Sequence, residues 1–381
     1  MKNRKIILAA AFLFFYAQYI YIPFQTTYLT ALGASAAFVG IVTGAYGGAQ
    51  LVLRLPVGVL ADRVGKHKIF LVTGMLLAGA ACGVRTLFPD AWGFFFASLL
   101  SGVSASTWLS FMVMYSECYG AREQQKASGR IVLSYNSGIL AAFITGTLFY
   151  EKVGMRTLCV FGIIASVIGV ALCSRLCEGK TQKIAPSVPE LLKICTNRYL
   201  IFFSVLALVQ QGIQMATTMS FTTQILKNLG AQESILGLSS IIYMISSVVS
   251  SFVASLKWIE KKSSRFWIAT IFTGLSAYCF LVPSVGYIPL ILLLQLIPGL
   301  ASGFLFSILT TKAMSEVPAE KKSTAMGFFQ AVYAVGMSVF PILTGNIAEI
   351  GGMIASYRLM GVFALICVLA TVMLLRNARE G

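Results

Sequence analysis

The chain has 381 residues, of which 57% are hydrophobic and 11% charged, with a formal net charge of +16. So few charges cannot cover a water-soluble globule of this size, and apolar stretches of the ~20 residues that cross a bilayer recur from end to end. These stretches are too long for the ~10-residue alternating strands of an outer-membrane barrel. The chain reads as an all-α integral membrane protein.

Twelve spans are predicted, at 5–29, 37–60, 69–88, 92–116, 129–150, 155–176, 199–225, 235–258, 266–283, 287–313, 323–347 and 353–375. Lys2, Arg4 and Lys5 precede span 1, but the run outlasts the apolar core of a cleavable signal. Ala9-Ala10-Ala11 also comes too early for a cleavage site, so span 1 reads as a retained helix. Gln18, Tyr21 and Gln25 share one of its faces at helical spacing. Span 4 carries Trp108 and Tyr115 on one face, and span 5 carries Asn136. Span 7 places Gln210, Gln214, Thr217 and Phe221 on one face, with Gln211 alongside. Tyr243 on span 8, Gln295 on span 10, and Gln330 and Tyr333 on span 11 complete the polar and aromatic set. Such amides either meet a solute or tie neighbouring helices together.

The chain repeats itself. An offset of 197 brings Leu32-Gly33-Ala34 onto Leu229-Gly230-Ala231 and Gly40 onto Gly237. An offset of 198 brings Gly129, Tyr135, Gly138 and Glu151 onto Gly327, Tyr333, Gly336 and Glu349. Two parallel six-helix halves are expected, 1–177 and 199–381, joined by a polar and basic linker at 178–198 that contains Pro186 and Pro189. A short amphipathic helix is expected within the linker at 188–194.

Of the 29 basic residues, 23 fall on the side of the N-terminus, while Arg85, Lys152, Arg156, Lys227 and Arg358 are assigned to the other. This bias predicts a multi-pass protein of the inner (cytoplasmic) membrane with both termini in the cytoplasm, and it explains the net charge without nucleic acid. All thirteen acids lie in loops or near helix ends, so no midplane carboxylate marks a proton relay. If protons couple, Glu117 and Glu151 are the candidate carriers. The eight cysteines are scattered without a C-x-x-C pair, and no G-x-x-x-x-G-K-[ST] loop is present. No metal, cofactor or enzymatic activity is expected.

Residues 58–68, Gly58-Val59-Leu60-Ala61-Asp62-Arg63-Val64-Gly65-Lys66-His67-Lys68, resemble the G-x-L-A-D-R-x-G-R-K-x signature that the major facilitator superfamily carries between its second and third helices. The resemblance implies an alternating-access carrier whose spans 1, 4, 7 and 10 line the cavity. It also implies a conformational latch at this turn, here Arg54, Gly58, Asp62, Arg63, Gly65 and Lys66, facing Lys321 and Lys322. Other signatures depart from the family's drug antiporters. Ser98 stands where span 4 often has arginine, and Gly138–Gly146 lacks the proline and middle glycine of the span 5 motif. Gln210-Gln211-Gly212-Ile213-Gln214 only faintly resembles the Q-Q-x-x-G-x-N of sugar porters. The expected function is secondary or facilitated transport of a small neutral or amphipathic organic solute by a monomer. A proton-coupled efflux antiporter is the alternative within carriers, and a receptor or channel the alternative outside them.

Overall fold

Within a bilayer each backbone N–H and C=O must find its partner inside the chain, and helices do this segment by segment. The computed structural model describes residues 2–64, 66–119, 124–177, 196–254, 263–317 and 322–374. The described parts of the twelve expected spans are helical apart from short turns and a few end residues, in ten stretches long and apolar enough to cross a membrane. Two of the ten hold two expected spans each, Gly129–Ser174 (46 residues) and Ala325–Met373 (49 residues). At 1.5 Å per residue either would be roughly twice the ~30 Å apolar thickness of a bilayer if it ran straight. Each is broken instead at a glycine with non-helical backbone, Gly154 (φ 72°, ψ 177°) and Gly352 (φ 78°, ψ 170°). A side chain is strained at that φ, so glycine permits the break.

Those two glycines are 198 residues apart, and Gly33 and Gly230, also at positive φ, are 197 apart. The offsets are those of the sequence repeat. The irregular helices follow it too. Span 1 divides into Lys2–Tyr19 and Ile22–Ala31, with Pro23 in the first turn of the second piece, and span 7 is interrupted by a π-helical turn at Thr217–Phe221. Span 4 divides at Thr107 into Ala91–Ser106 and Trp108–Ser116, and span 10 has a π turn at Ala301–Leu305. An offset of 197 puts Ile20 on Thr217 and Thr107 on Phe304. The spans expected to line a cavity are therefore the ones that lose α-helical regularity near their middles, where backbone and side-chain groups are re-aimed.

Span 2 (Ala36–Val64) lies against span 11, and span 5 against span 8, so each pair joins the N-terminal part of the chain to the C-terminal part. Close approach in the first pair rests on glycine. A Cβ on Gly44 would sit 2.4 Å from the Ser338 carbonyl oxygen and 2.8 Å from Ile342 Cγ1. Around the outside, Leu76, Val167, Ile168, Phe252, Leu365 and Leu369 are exposed. Lipid tails solvate such a surface, whereas water would not.

Gly65 lies outside the described residues, as do the side chains of Asp62 and Arg63 and the surroundings of Gly58. Residues 178–195, including the expected amphipathic segment, and Lys321 also lie outside them.

Candidate functional site

Where spans 1, 2, 4 and 7 converge, a cavity of about 20 Å3 remains, lined among others by Gln18, Tyr21, Gln25, Thr43, Tyr46, Ser98 and Met219. That is room for a single water. A solute therefore needs the surrounding helices to move apart.

Three of the expected residues, Gln18, Tyr21 and Gln25, meet at this cavity despite the break in span 1 between them. Gln18 Nε2 donates to the Ser101 carbonyl (3.1 Å) and to Ser104 Oγ (2.9 Å), which ties span 1 to span 4. Gln25 is buried, and its Oε1 has no donor.

The other expected residues gather elsewhere. Gln210 Nε2 donates to Gln214 Oε1 (3.0 Å), Gln214 Nε2 to the Tyr243 hydroxyl (2.6 Å), and that hydroxyl to Ser302 Oγ (3.0 Å). This chain runs from span 7 through span 8 to span 10. Gln295 Nε2 donates to Ser239 Oγ (2.9 Å), and its Oε1 accepts from Tyr278 at 3.5 Å. Trp108 packs with Phe15 (centroids 4.8 Å apart), Tyr135 (5.5 Å) and Phe111 (5.9 Å). Asn136 is buried on span 5.

Of the latch set, Arg54 donates to Gln50 Oε1 on its own helix and, at 3.4 Å, to the Gln330 carbonyl on span 11. Its guanidinium lies 5.0 Å from the centre of the Tyr333 ring. Lys66 is exposed in extended backbone just before span 3, and Glu117 is exposed at the end of span 4.

The two amide groups should respond differently to mutation. Gln214→Ala strands the amide of Gln210, whose Oε1 already has no partner among the described residues, and leaves the Tyr243 hydroxyl only its bond to Ser302, and is expected to cost ~1–3 kcal/mol of stability. Gln18→Ala leaves Ser104 Oγ donating to the Gly74 carbonyl (2.7 Å) and should cost less while weakening solute binding. Thermal unfolding of both variants in one detergent checks this. A loss in Gln18→Ala equal to that in Gln214→Ala would contradict it.

At the end of the bundle away from Lys2, here called distal, two carboxylates bind helix N-termini across the seam. Glu151 Oε1 accepts from Ser234 N (3.0 Å), and Glu349 Oε2 accepts from Ala37 N (3.2 Å). Donor and acceptor both obey the repeat, with Ala37 on Ser234 and Glu151 on Glu349. Each acid faces the positive end of a helix dipole from the opposite half of the chain. Deeper in, the π turn of span 7 brings Ser220 Oγ within 3.1 Å of Thr26 Oγ1 and 3.3 Å of Thr43 Oγ1. Two matched clamps and a buried hydroxyl bridge thus close the distal seam.

The fold built around this seam matches a known family. Residues 7–224 and 205–381 each match the Major Facilitator Superfamily model. The chain belongs to the major facilitator superfamily. It is similar to the Inner membrane transport protein YajR of Escherichia coli K12, 31% identical over 155 residues, a match spanning 40% of this chain and 34% of that protein. It is similar over greater length to the Proton-coupled antiporter flippase LtaA of Staphylococcus haemolyticus, 23% identical over 91% of this chain and 88% of that one. Among solved structures, the nucleoside transporter NupG superposes with a TM-score of 0.80 at 15% identity, over 99% of this chain and 100% of that one. That likeness is one of fold. Membership of this superfamily makes the chain a multi-pass membrane transporter for a small molecule.

Arg85 falls at the outer end of the predicted span 69–88, where it is counted only as a basic residue of the outer side; it lies in the last turn of span 3 and is 0% exposed. Leu87 and Phe88 continue the apolar run past it, and that continuation was the signal that it lies inside. Its Nη1 donates to Ser101 Oγ (3.2 Å), and its guanidinium lies 3.8 Å from the centre of the Tyr21 ring.

Proposed function

We propose that this chain is a secondary transporter that moves a small amphipathic organic solute by alternating access through the cavity between its halves. The carrying observation is the matched pair of distal clamps, Glu151 on Ser234 N and Glu349 on Ala37 N. They close one end of a seam above a cavity too small for any solute, so solute must enter after rearrangement. Gly154 and Gly352 then turn the chain between successive crossings, giving twelve, in two halves of six joined by 178–198. The protein works as a monomer and needs no cofactor. Amides and tyrosine rings around the cavity suit a solute with both polar groups and a flat apolar face.

Both termini face the cytoplasm in this reading. The distal side carries Arg85, Lys152, Arg156, Lys227 and Arg358, against 23 basic residues on the side of the N-terminus. A periplasmically active phosphatase fused at the C-terminus would contradict that orientation. The function is tested by counterflow in proteoliposomes preloaded with a panel of amphipathic metabolites and dyes. Saturable exchange of at least one compound supports it, and no exchange of any would count against it.

Proton coupling has one specific observation in its favour: both clamps of the distal seam are made by carboxylates, Glu151 and Glu349. The relative of known coupling, LtaA, carries that property in its name. A pH gradient that drives uphill solute movement in wild type, and fails to in Glu151→Gln/Glu349→Gln, tests this reading. Gradient-independent exchange in both would contradict it.

A further inference from the structure

Arg85 is a buried cation with an unfilled binding edge. Its Nη1 is satisfied by Ser101 Oγ, while Nε and Nη2 have no hydrogen-bond partner among the described residues. Nε and Nη2 lie side by side on one edge of the guanidinium plane, the pair of donors that grips a carboxylate or phosphate with two parallel bonds. The guanidinium carbon lies 3.8 Å from the centre of the Tyr21 ring and 5.7 Å from that of Phe94. The edge that carries Nε and Nη2 is buried and unpaired among the described residues.

Among the described residues no carboxylate pairs with this guanidinium. Asp90, the acid nearest in sequence, caps span 4 by accepting from Gly93 N at 2.7 Å. The carbonyl end of span 3 and the two rings compensate part of the charge, but an unpaired buried cation stays costly. Arg85 is also joined to the cavity through two residues. Tyr21 lines it directly, and Ser101, which accepts from Arg85 through its hydroxyl, accepts from the cavity residue Gln18 through its carbonyl. The orphan Gln25 Oε1 adds a lone acceptor to the same cavity.

We propose that Arg85 anchors an anionic group of the transported solute, a carboxylate or phosphate, against the Tyr21 and Ser101 wall, while Gln25 Oε1 accepts from a hydroxyl or amino group of the same molecule. This rests on the transporter reading and sharpens it: the solute is an organic anion rather than a neutral compound. The amides and rings alone suit a neutral or amphipathic solute, and the buried Arg85 adds the charge.

The test uses purified full-length protein in nanodiscs, followed by thermal unfolding in titrations with benzoate, phenyl phosphate and neutral benzamide. At least one of the anions should raise the unfolding temperature saturably, and benzamide should not. Which anion is preferred separates a carboxylate site from a phosphate site. In Arg85→Met the response should weaken at least ~30-fold, the loss expected when one partner of a buried charge pair is removed. Arg85→Lys, which keeps the charge and loses the fork, should fall between. Without ligand, Arg85→Met should unfold no lower than wild type, because the substitution removes an unpaired buried charge.

The proposal is overturned if neither anion stabilises the wild type, if benzamide does so equally, or if the anion response survives in Arg85→Met. Should Arg85→Met not fold, an undiminished response in Arg85→Lys overturns it just as well. Vesicle flux separates this inference from the transporter reading. Exchange of neutral compounds that is unchanged in Arg85→Lys would sink the anion site alone. Arg85-dependent anion binding without flux of any panel compound would sink the transport reading alone.

Discussion

Gly44→Leu is expected to reduce transport at least ~10-fold while the protein still inserts. The Cβ alone would lie 2.4 Å from the Ser338 carbonyl oxygen, a backbone atom, and 2.8 Å from Ile342 Cγ1. Neither can yield while spans 2 and 11 stay packed, because overpacking a tight interface costs ~1–3 kcal/mol or more. The distal seam must then open, and a carrier held open on one side cannot complete its cycle. A tenfold change corresponds to about 1.4 kcal/mol, so the middle and upper parts of that range suffice. Gly83→Ala is the control, since nothing lies within 4 Å of a Cβ there. Solute exchange is measured at equal expression. Wild-type exchange in Gly44→Leu would mean that the seam does not close during transport.

Neutralising both clamps should shift the seam without breaking the fold. Each carboxylate sits at an exposed helix N-terminus, so its interaction is worth about 0.5 kcal/mol and is screened by salt. Together Glu151→Gln and Glu349→Gln remove about 1 kcal/mol from the closed state, an ~5-fold shift toward the open one. Glutamine keeps an acceptor oxygen, so the change isolates charge. Labelling of Thr43→Cys by a membrane-impermeant maleimide from the distal side reads the shift. The double variant should label about 5-fold faster than wild type, and the difference should shrink at high salt. Equal rates would show that the clamps carry no energy.

Much of the fold was legible because its signals are long-range averages. Twenty-residue apolar runs, the basic bias and the 197–198 offset each pool many residues, and the matched positive-φ glycines follow the same offset. The residues around the cavity were harder to read. Gln18 and Gln214 look alike in sequence, yet one lines the cavity and the other is held in a hydrogen-bond chain with Tyr243. A side-chain amide reveals its role only through its neighbours on other helices. The clamps were half visible: Glu151 and Glu349 stood out as repeat partners, but their acceptors' donors, Ser234 N and Ala37 N, are backbone groups that carry no sequence mark. The π turn that turns Ser220 toward Thr26 and Thr43 has no marker in Thr217-Thr218-Met219-Ser220. Arg85 lies within the predicted span 69–88, but its burial against Tyr21 and Ser101 depends on span 1 and span 4 and has no mark in its own segment.

Alternating access through the distal seam is tested most directly by locking that seam. Ala37→Cys and Glu349→Cys, in a background without the native cysteines, place a thiol on each side of the contact in which the Ala37 N–H and the Glu349 carboxylate now meet at 3.2 Å. A short bifunctional methanethiosulfonate should join them in the closed state. Solute exchange measured in proteoliposomes before cross-linking, after it, and after reduction should run, stop and return. Exchange at the full rate with the seam fully cross-linked would show that solute crosses without opening it.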